Sequence, residues 1–212
     1  MNNILIDFLP KTVFIDDLEY KINSNFRESI LFEQLMRDEG FTDEDKIYQA
    51  LSIYYPKIPE NLDSAIKEML SFYKCGKEEE YENTNSNASK SSYAKIYDFD
   101  YDADYIYSAF LSQYNIDLQD IEYLHWWKFK AMFNGLNSDN KIVEIMGYRS
   151  IKLNSIKDEE QRKHYRKLQR LYRLPINTNK NEYEKQNELN KALISGDVSK
   201  INELLIKAKG SD

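Results

Sequence analysis

Between Thr12 and Ile22 apolar and polar residues alternate, with Val13 and Ile15 before an Asp16-Asp17 pair and Leu18, Tyr20 and Ile22 after it. A period of two interrupted by two turn-forming residues predicts two short strands joined by a tight turn. A hairpin alone is marginal in water, so a helix must cover one of its faces. From Asn25 the apolar period lengthens to that of a helix. Phe26, Ile30, Leu31, Leu35 and Met36 recur behind a cap formed by Asn25 and Glu28, and Gly40 is the expected stop. Thr42 opens a second helix with Asp43, Glu44 and Asp45 in its first turn, where negative charge suits the amino end of the helix dipole. Its stripe is Ile47, Leu51 and Tyr54, and Tyr55-Pro56 ends it. A third helix after Pro59 carries Leu62, Ile66, Met69, Leu70 and Tyr73 before Gly76.

From Lys77 to Ser92 the pattern lapses into Glu, Asn, Ser and Lys, with Tyr81 the only sizeable apolar residue. That is too little burial to offset the entropy of ordering the segment, so a flexible linker is expected over 77–95. It separates a first unit, residues 1–76, from a second, residues 96–175. The second unit opens with Asp98, Asp100, Asp102 and Asp104 set among Tyr97, Phe99, Tyr101 and Tyr105. Alternate carboxylates resemble the start of a calcium loop, but the sixth position is Tyr105 instead of Gly and the twelfth is Leu111 instead of Glu. Capping and dipole stabilisation of the following helix is the simpler reading, with Ile106, Tyr107, Phe110, Leu111 and Tyr114 along one face.

The next helix is expected from Leu118 to Asn134, with Gly135 as its stop and His125-Trp126-Trp127 within it. At 100° per residue its apolar positions spread over nearly all sides, which marks either a central helix or one that also holds a partner. His125, among Ile121, Phe129 and Met132, reads as a packed and hydrogen-bonded histidine. A short helix follows over Ser138 to Tyr148, ended by Gly147, and Ser155 with Asp158 opens a long one to Leu174, stopped by Pro175. That last helix sets Tyr165, Leu168, Leu171 and Tyr172 against a stripe of Arg162, Arg166, Arg170 and Arg173. After it, residues 176–212 read as a helical appendage of two amphipathic helices around Gly196-Asp197. Together the pattern predicts a mainly α protein: an N-terminal β-hairpin with three helices, a flexible linker, then an α-helical bundle with a C-terminal helical appendage.

Composition narrows the chemistry. Only 6 Gly and 4 Pro against 42% hydrophobic residues suit a globular helical chain. One cysteine, Cys75, excludes an intramolecular disulfide and a multi-cysteine zinc site. No run approaches the length of a membrane span, and Met1 to Phe8 lacks the pattern of a signal peptide, so the chain is expected in the cytosol with no membrane partner. A net charge of -7 disfavours a general nucleic-acid coat. No Lys or Arg occurs from Tyr97 through Trp127, so the second unit is electrically split, and its acidic and basic patches are expected to pair within one chain or between neighbours. No complete catalytic constellation is present.

Three strings carry a family resemblance: Tyr101-Asp-Ala-Asp-Tyr-Ile-Tyr with Ala109-Phe110, Ile116-Asp-Leu with Tyr123-Leu-His-Trp-Trp-Lys-Phe, and Ile145-Met-Gly-Tyr-Arg-Ser-Ile. Leu9-Pro10, Ile22-Asn23 and Phe72-Tyr73-Lys74-Cys75-Gly76 fit it too. From about Leu5 to Pro175 the chain resembles the bacteriophage gene-product-fifteen family of tailed phages and prophages. The resemblance implies a gene in the tail-morphogenesis cluster and a non-enzymatic tail assembly chaperone, with the tape-measure protein and tail tube protein as partners, possible self-association and no cofactor. Such a chaperone would work in the bacterial host cytoplasm and be absent from the mature virion. The anchors expected for partner binding are Trp126, Trp127, Phe129 and Phe133, with charged contacts from Arg149, Arg162, Arg166 and Arg170. The alternatives are a structural tail component retained in the virion, and nucleic-acid binding through the basic helix 158–174.

Overall fold

The computed structural model describes residues 3–38, 40–77 and 96–175. The expected linker, apart from Lys77, and the whole of the expected appendage over 176–212 lie outside the described residues. Among those described, the chain is mainly helical, with seven α-helices and one two-stranded antiparallel sheet. It divides into two compact units, residues 3–77 with 123–131, and residues 96–122 with 132–175. The division differs from the expected boundary, because 123–131, which include His-Trp-Trp, belong to the first unit.

In the first unit β1 (Thr12–Ile15) pairs with β2 (Leu18–Lys21), Val13 opposite Tyr20 and Phe14 opposite Glu19. Asp16 and Asp17 turn the chain with φ of 50° and 62°, the left-handed pair that a two-residue hairpin turn requires and that Asp tolerates better than most residues. The helices are α1 (Phe26–Arg37), α2 (Asp43–Tyr54) and α3 (Leu62–Tyr73). Their starts are local chemistry. Asn25 accepts from the Arg27 amide, Thr42 from the Asp45 amide and Asn61 from the Ser64 amide. Thr42 also donates its hydroxyl to Asp45, and Asn61 donates its amide to both oxygens of Asp16, tying α3 to the hairpin turn. Helix α1 stops at Arg37, ahead of the expected Gly40, because the Asp38 amide turns back to Gln34 and Leu35.

Val13, Ile15, Phe26, Phe32, Met36, Leu51, Tyr54, Ile66, Met69, Leu70 and Phe72 close the core of this unit. Polar groups inside it are matched. Ser29 and Tyr54 hydroxyls meet at 2.8 Å, the Tyr55 hydroxyl donates to the Ala65 carbonyl, and the fully buried Lys46 ammonium donates to the Met36 carbonyl near the C-terminal end of α1. Burial raises the Tyr54 and Tyr55 hydroxyls well above the usual phenol range.

In the second unit α4 (Ala103–Tyr114) packs on α6 (Lys141–Ser150), and α6 on α7 (Glu159–Leu171). Ile106, Ala109 and Phe110 of α4 and Ile142 and Ile145 of α6 are buried, while Leu111, expected on the same face of α4 as Ile106 and Phe110, is exposed. Helix α5 (Trp126–Asn134) is half the expected length. Asp117 explains the loss, since its carboxylate accepts from the Gln119 and Asp120 amides and bends 118–120 into a turn. Helix α6 starts three residues late, after Asn140, and runs through Gly147, where a Cβ would meet nothing within 4 Å. A glycine ends a helix when it turns left-handed, and Gly147 does not. Helix α7 starts from the Asp158 cap and ends at Leu171, three residues short of the expected Leu174, with Ser155 in a separate 3-10 turn, Leu153–Ser155.

Candidate functional site

The His-Trp-Trp segment is a junction between three parts of the first unit. Residues 24–26 and 124–126 pair as a two-bond antiparallel bridge, the Phe26 amide donating to Leu124 at 2.9 Å and the Trp126 amide to Ser24 at 2.8 Å. The His125 ring then works at both nitrogens. Nδ1 accepts from the Trp127 amide at 3.0 Å, which caps the start of α5, and Nε2 lies 2.9 Å from the Pro10 carbonyl. Those partners fix the neutral tautomer with the proton on Nε2. Burial holds the ring below the usual histidine range, against the Pro10 hydrogen bond and helped by Lys128 and Lys11.

Both tryptophans end on one target. Helix α3 finishes with Cys75 and Gly76 in left-handed conformations at φ 60° and 66°, the Gly76 amide returning to Ser71 and the Cys75 amide to Phe72. The Trp127 indole N–H donates to the Phe72 carbonyl and the Trp126 indole N–H to the Tyr73 carbonyl, each at 2.8 Å. The Trp126 bond thereby satisfies a carbonyl at the helix end, and the Trp127 bond adds a second donor to one that already accepts the Cys75 amide, both from a segment more than fifty residues away. Trp126 stacks between Tyr73 at 5.6 Å and Phe129 at 5.7 Å, and Phe129 stacks on Phe26 at 4.9 Å. Phe133 belongs instead to the second unit, against Tyr97 and Phe99. All four expected aromatic anchors are buried, so they hold the fold and present no free ring in this conformation.

Arg149, expected as a charged partner contact, is also committed inside. Its guanidinium makes a two-pronged pair with Asp102 at 2.6 and 2.9 Å and donates further to the Ile96 and Tyr172 carbonyls. Asp102 is at the N-cap position of α4 but makes no side-chain cap bond, because the carboxylate is turned to Arg149 and the Asp98 amide. Asp98 in turn accepts from the Asp100 and Tyr101 amides. The acidic string is thus a folded turn, and among the described residues no cluster brings together three possible metal ligands. Arg162 is spent on the Ile156 carbonyl. Arg166 and Arg170 are exposed on α7, and Arg170 lines a shallow cleft with Arg149, Gln169, Arg173 and Leu174.

The exposed apolar surface lies elsewhere. Asn3 and Asp7 close a tight turn, the Asn3 carbonyl accepting from the Ile6 and Asp7 amides and the Asp7 carboxylate from the Asn3 amide. The turn leaves Leu5, Ile6 and Phe8 87%, 80% and 101% exposed, and the hairpin adds Phe14 and Leu18 at 66% and 60%. The sequence carried a signal for these. Phe14 falls on the polar side of the hairpin alternation, and Ile4-Leu5-Ile6 is an apolar run before the first element. No helix among the described residues is long and apolar enough to cross a membrane.

Neither the curated proteins nor the solved structures contain a match to this chain. Its sequence does match the Bacteriophage Gp15 protein family over residues 5–174, a span that includes the Trp-Trp cap of α3 and the Asp102–Arg149 pair, and the chain belongs to that family.

Proposed function

We propose that this phage protein is a non-enzymatic tail assembly chaperone acting in the cytoplasm of the bacterial host, which holds the tape-measure protein soluble while tail tube subunits polymerise around it. The observation that supports this reading is the exposed set Leu5, Ile6, Phe8, Phe14 and Leu18 on the first unit. A chaperone for a long, partly apolar helix needs apolar side chains held out to water on a charged body, and these five are held so. With Trp126, Trp127, Phe129 and Phe133 buried, the anchoring role passes to these five residues.

Co-expression with the tape-measure protein tests the proposal. The expected result is co-purification and a larger soluble fraction of that protein, both lost when Phe8 and Phe14 are changed to Ser. A chain that neither binds the tape-measure protein nor improves its solubility ends the proposal. Mass spectrometry of purified virions should find the chain absent or scarce, whereas stoichiometric amounts would favour a structural tail component.

A further inference from the structure

Within the second unit, α4 and α7 each pack on α6 and each leave a full face in water. On α4 the exposed positions include Tyr105, Ser108, Leu111 and Ser112 with Asp104, continued backwards by Tyr101 in the preceding turn. Their spacing of three and four residues puts them on one stripe. Among the described residues the Asp104 carboxylate has no ion pair or hydrogen bond, and neither tyrosine hydroxyl on the stripe is engaged. On α7 and the residues after it, Arg166, Lys167, Arg170 and Arg173 are exposed, and among the described residues none of them has an anionic partner. Leu171, 68% exposed, sits among them. Inside the unit Arg149 pairs with Asp102, Lys141 with Glu144, and Lys163 with Glu159 and Glu160, and among the described residues none of these pairs takes up Arg166, Lys167, Arg170 or Arg173.

We propose that the chain associates with itself, the basic face of α7 in one copy seated on the tyrosine and aspartate stripe of α4 in another. The surfaces match in length and chemistry. From Tyr101 to Ser112, and from Lys163 to Arg173, each spans about 15 Å of helix. Arginines over Tyr101 and Tyr105 gain the attraction of a cation for a ring face, Asp104 supplies the opposite charge, and Leu171 meets Leu111. One helix pair buries far less than a permanent interface, so the contact is weak, concentration-dependent and sensitive to salt. It uses two different patches, and is therefore either doubled in a two-fold dimer or repeated along a ring. The proposal does not depend on the chaperone reading.

Sedimentation equilibrium of the full chain over a range of concentrations tests it. In about 0.05 M salt the average mass should rise above that of one chain, and in about 0.5 M salt the association should weaken by roughly tenfold or more. Arg166→Glu with Arg170→Glu should stay monomeric, as should Asp104→Lys, while an equimolar mixture of the two variants should associate again. All three positions are exposed, and circular dichroism checks that each variant keeps its helices. A wild-type chain that stays monomeric at low salt overturns the proposal. So does association that survives both reversals, a mixture that fails to recover, or a monomer whose α7 instead retains DNA.

Discussion

At Gly76 the Trp127 indole stands close to where a side chain would go. An added Cβ would sit 3.2 Å from the ring edge, at a φ of 66° that disfavours any L side chain. Gly76→Ala should therefore destabilise the protein by about 1–2 kcal/mol, read from the midpoint of urea unfolding. Its neighbour Cys75 is half-buried, and burial pushes the thiol up to about 11 despite Lys130 and Lys77. At pH 8 the thiolate should be scarce, so alkylation of the folded protein should be slower than that of the unfolded chain and should accelerate as pH approaches 11. His125 gives the protein a dependence on acid. The folded ring binds a proton less readily than the unfolded one, whose pKa is about 6.5. Stability should be full above that pH and fall as pH drops below it, since protonating Nδ1 removes the acceptor that caps α5. His125→Asn keeps a side-chain acceptor at the cap, and its unfolding midpoint should lose the decline between pH 7 and pH 5 that it measures against in the wild type.

Helix α3 shows how far an element can depend on residues remote from it. The Trp126 indole is the principal donor to the Tyr73 carbonyl, while the Phe72 carbonyl receives both the Trp127 indole and the Cys75 amide. Trp126→Phe should cost more than Trp127→Phe, with the difference on the order of 1 kcal/mol in chemical denaturation, because the first leaves the harsher vacancy. No inspection of the sequence reveals this arrangement, because the acceptors are main-chain atoms 53 and 55 residues from the donors. What was legible was short in range. The Asp16-Asp17 turn, and the caps at Asn25, Thr42 and Asp158, each satisfy a neighbouring amide and are written in a few consecutive residues. The length of α5 was not, since a long-range bridge to Asn25 and the Asp117 turn together take its first turns away. The tryptophans were expected as anchors for a partner, and the structure buries both against the end of α3.

At the scale of the molecule, each unit is closed by polar contacts that span the chain. In the second unit Arg149 is the hub, with an ion pair to Asp102 and hydrogen bonds to Ile96 and Tyr172. Arg149→Met should cost about 3–5 kcal/mol, since it strands a buried carboxylate. Adding Asp102→Asn should recover part of that loss in thermal unfolding and no more, because the two carbonyls stay without their donor. This hub also has a mechanical meaning. Ile96 and Tyr172 lie near the two ends of the unit's described residues, and both are pinned to one guanidinium. A pull applied between Ile96 and Tyr172 would load those few short bonds before it reached any helix packing. The unit should yield to stretching in a single sharp step, and Arg149→Met should soften that step into a gradual one.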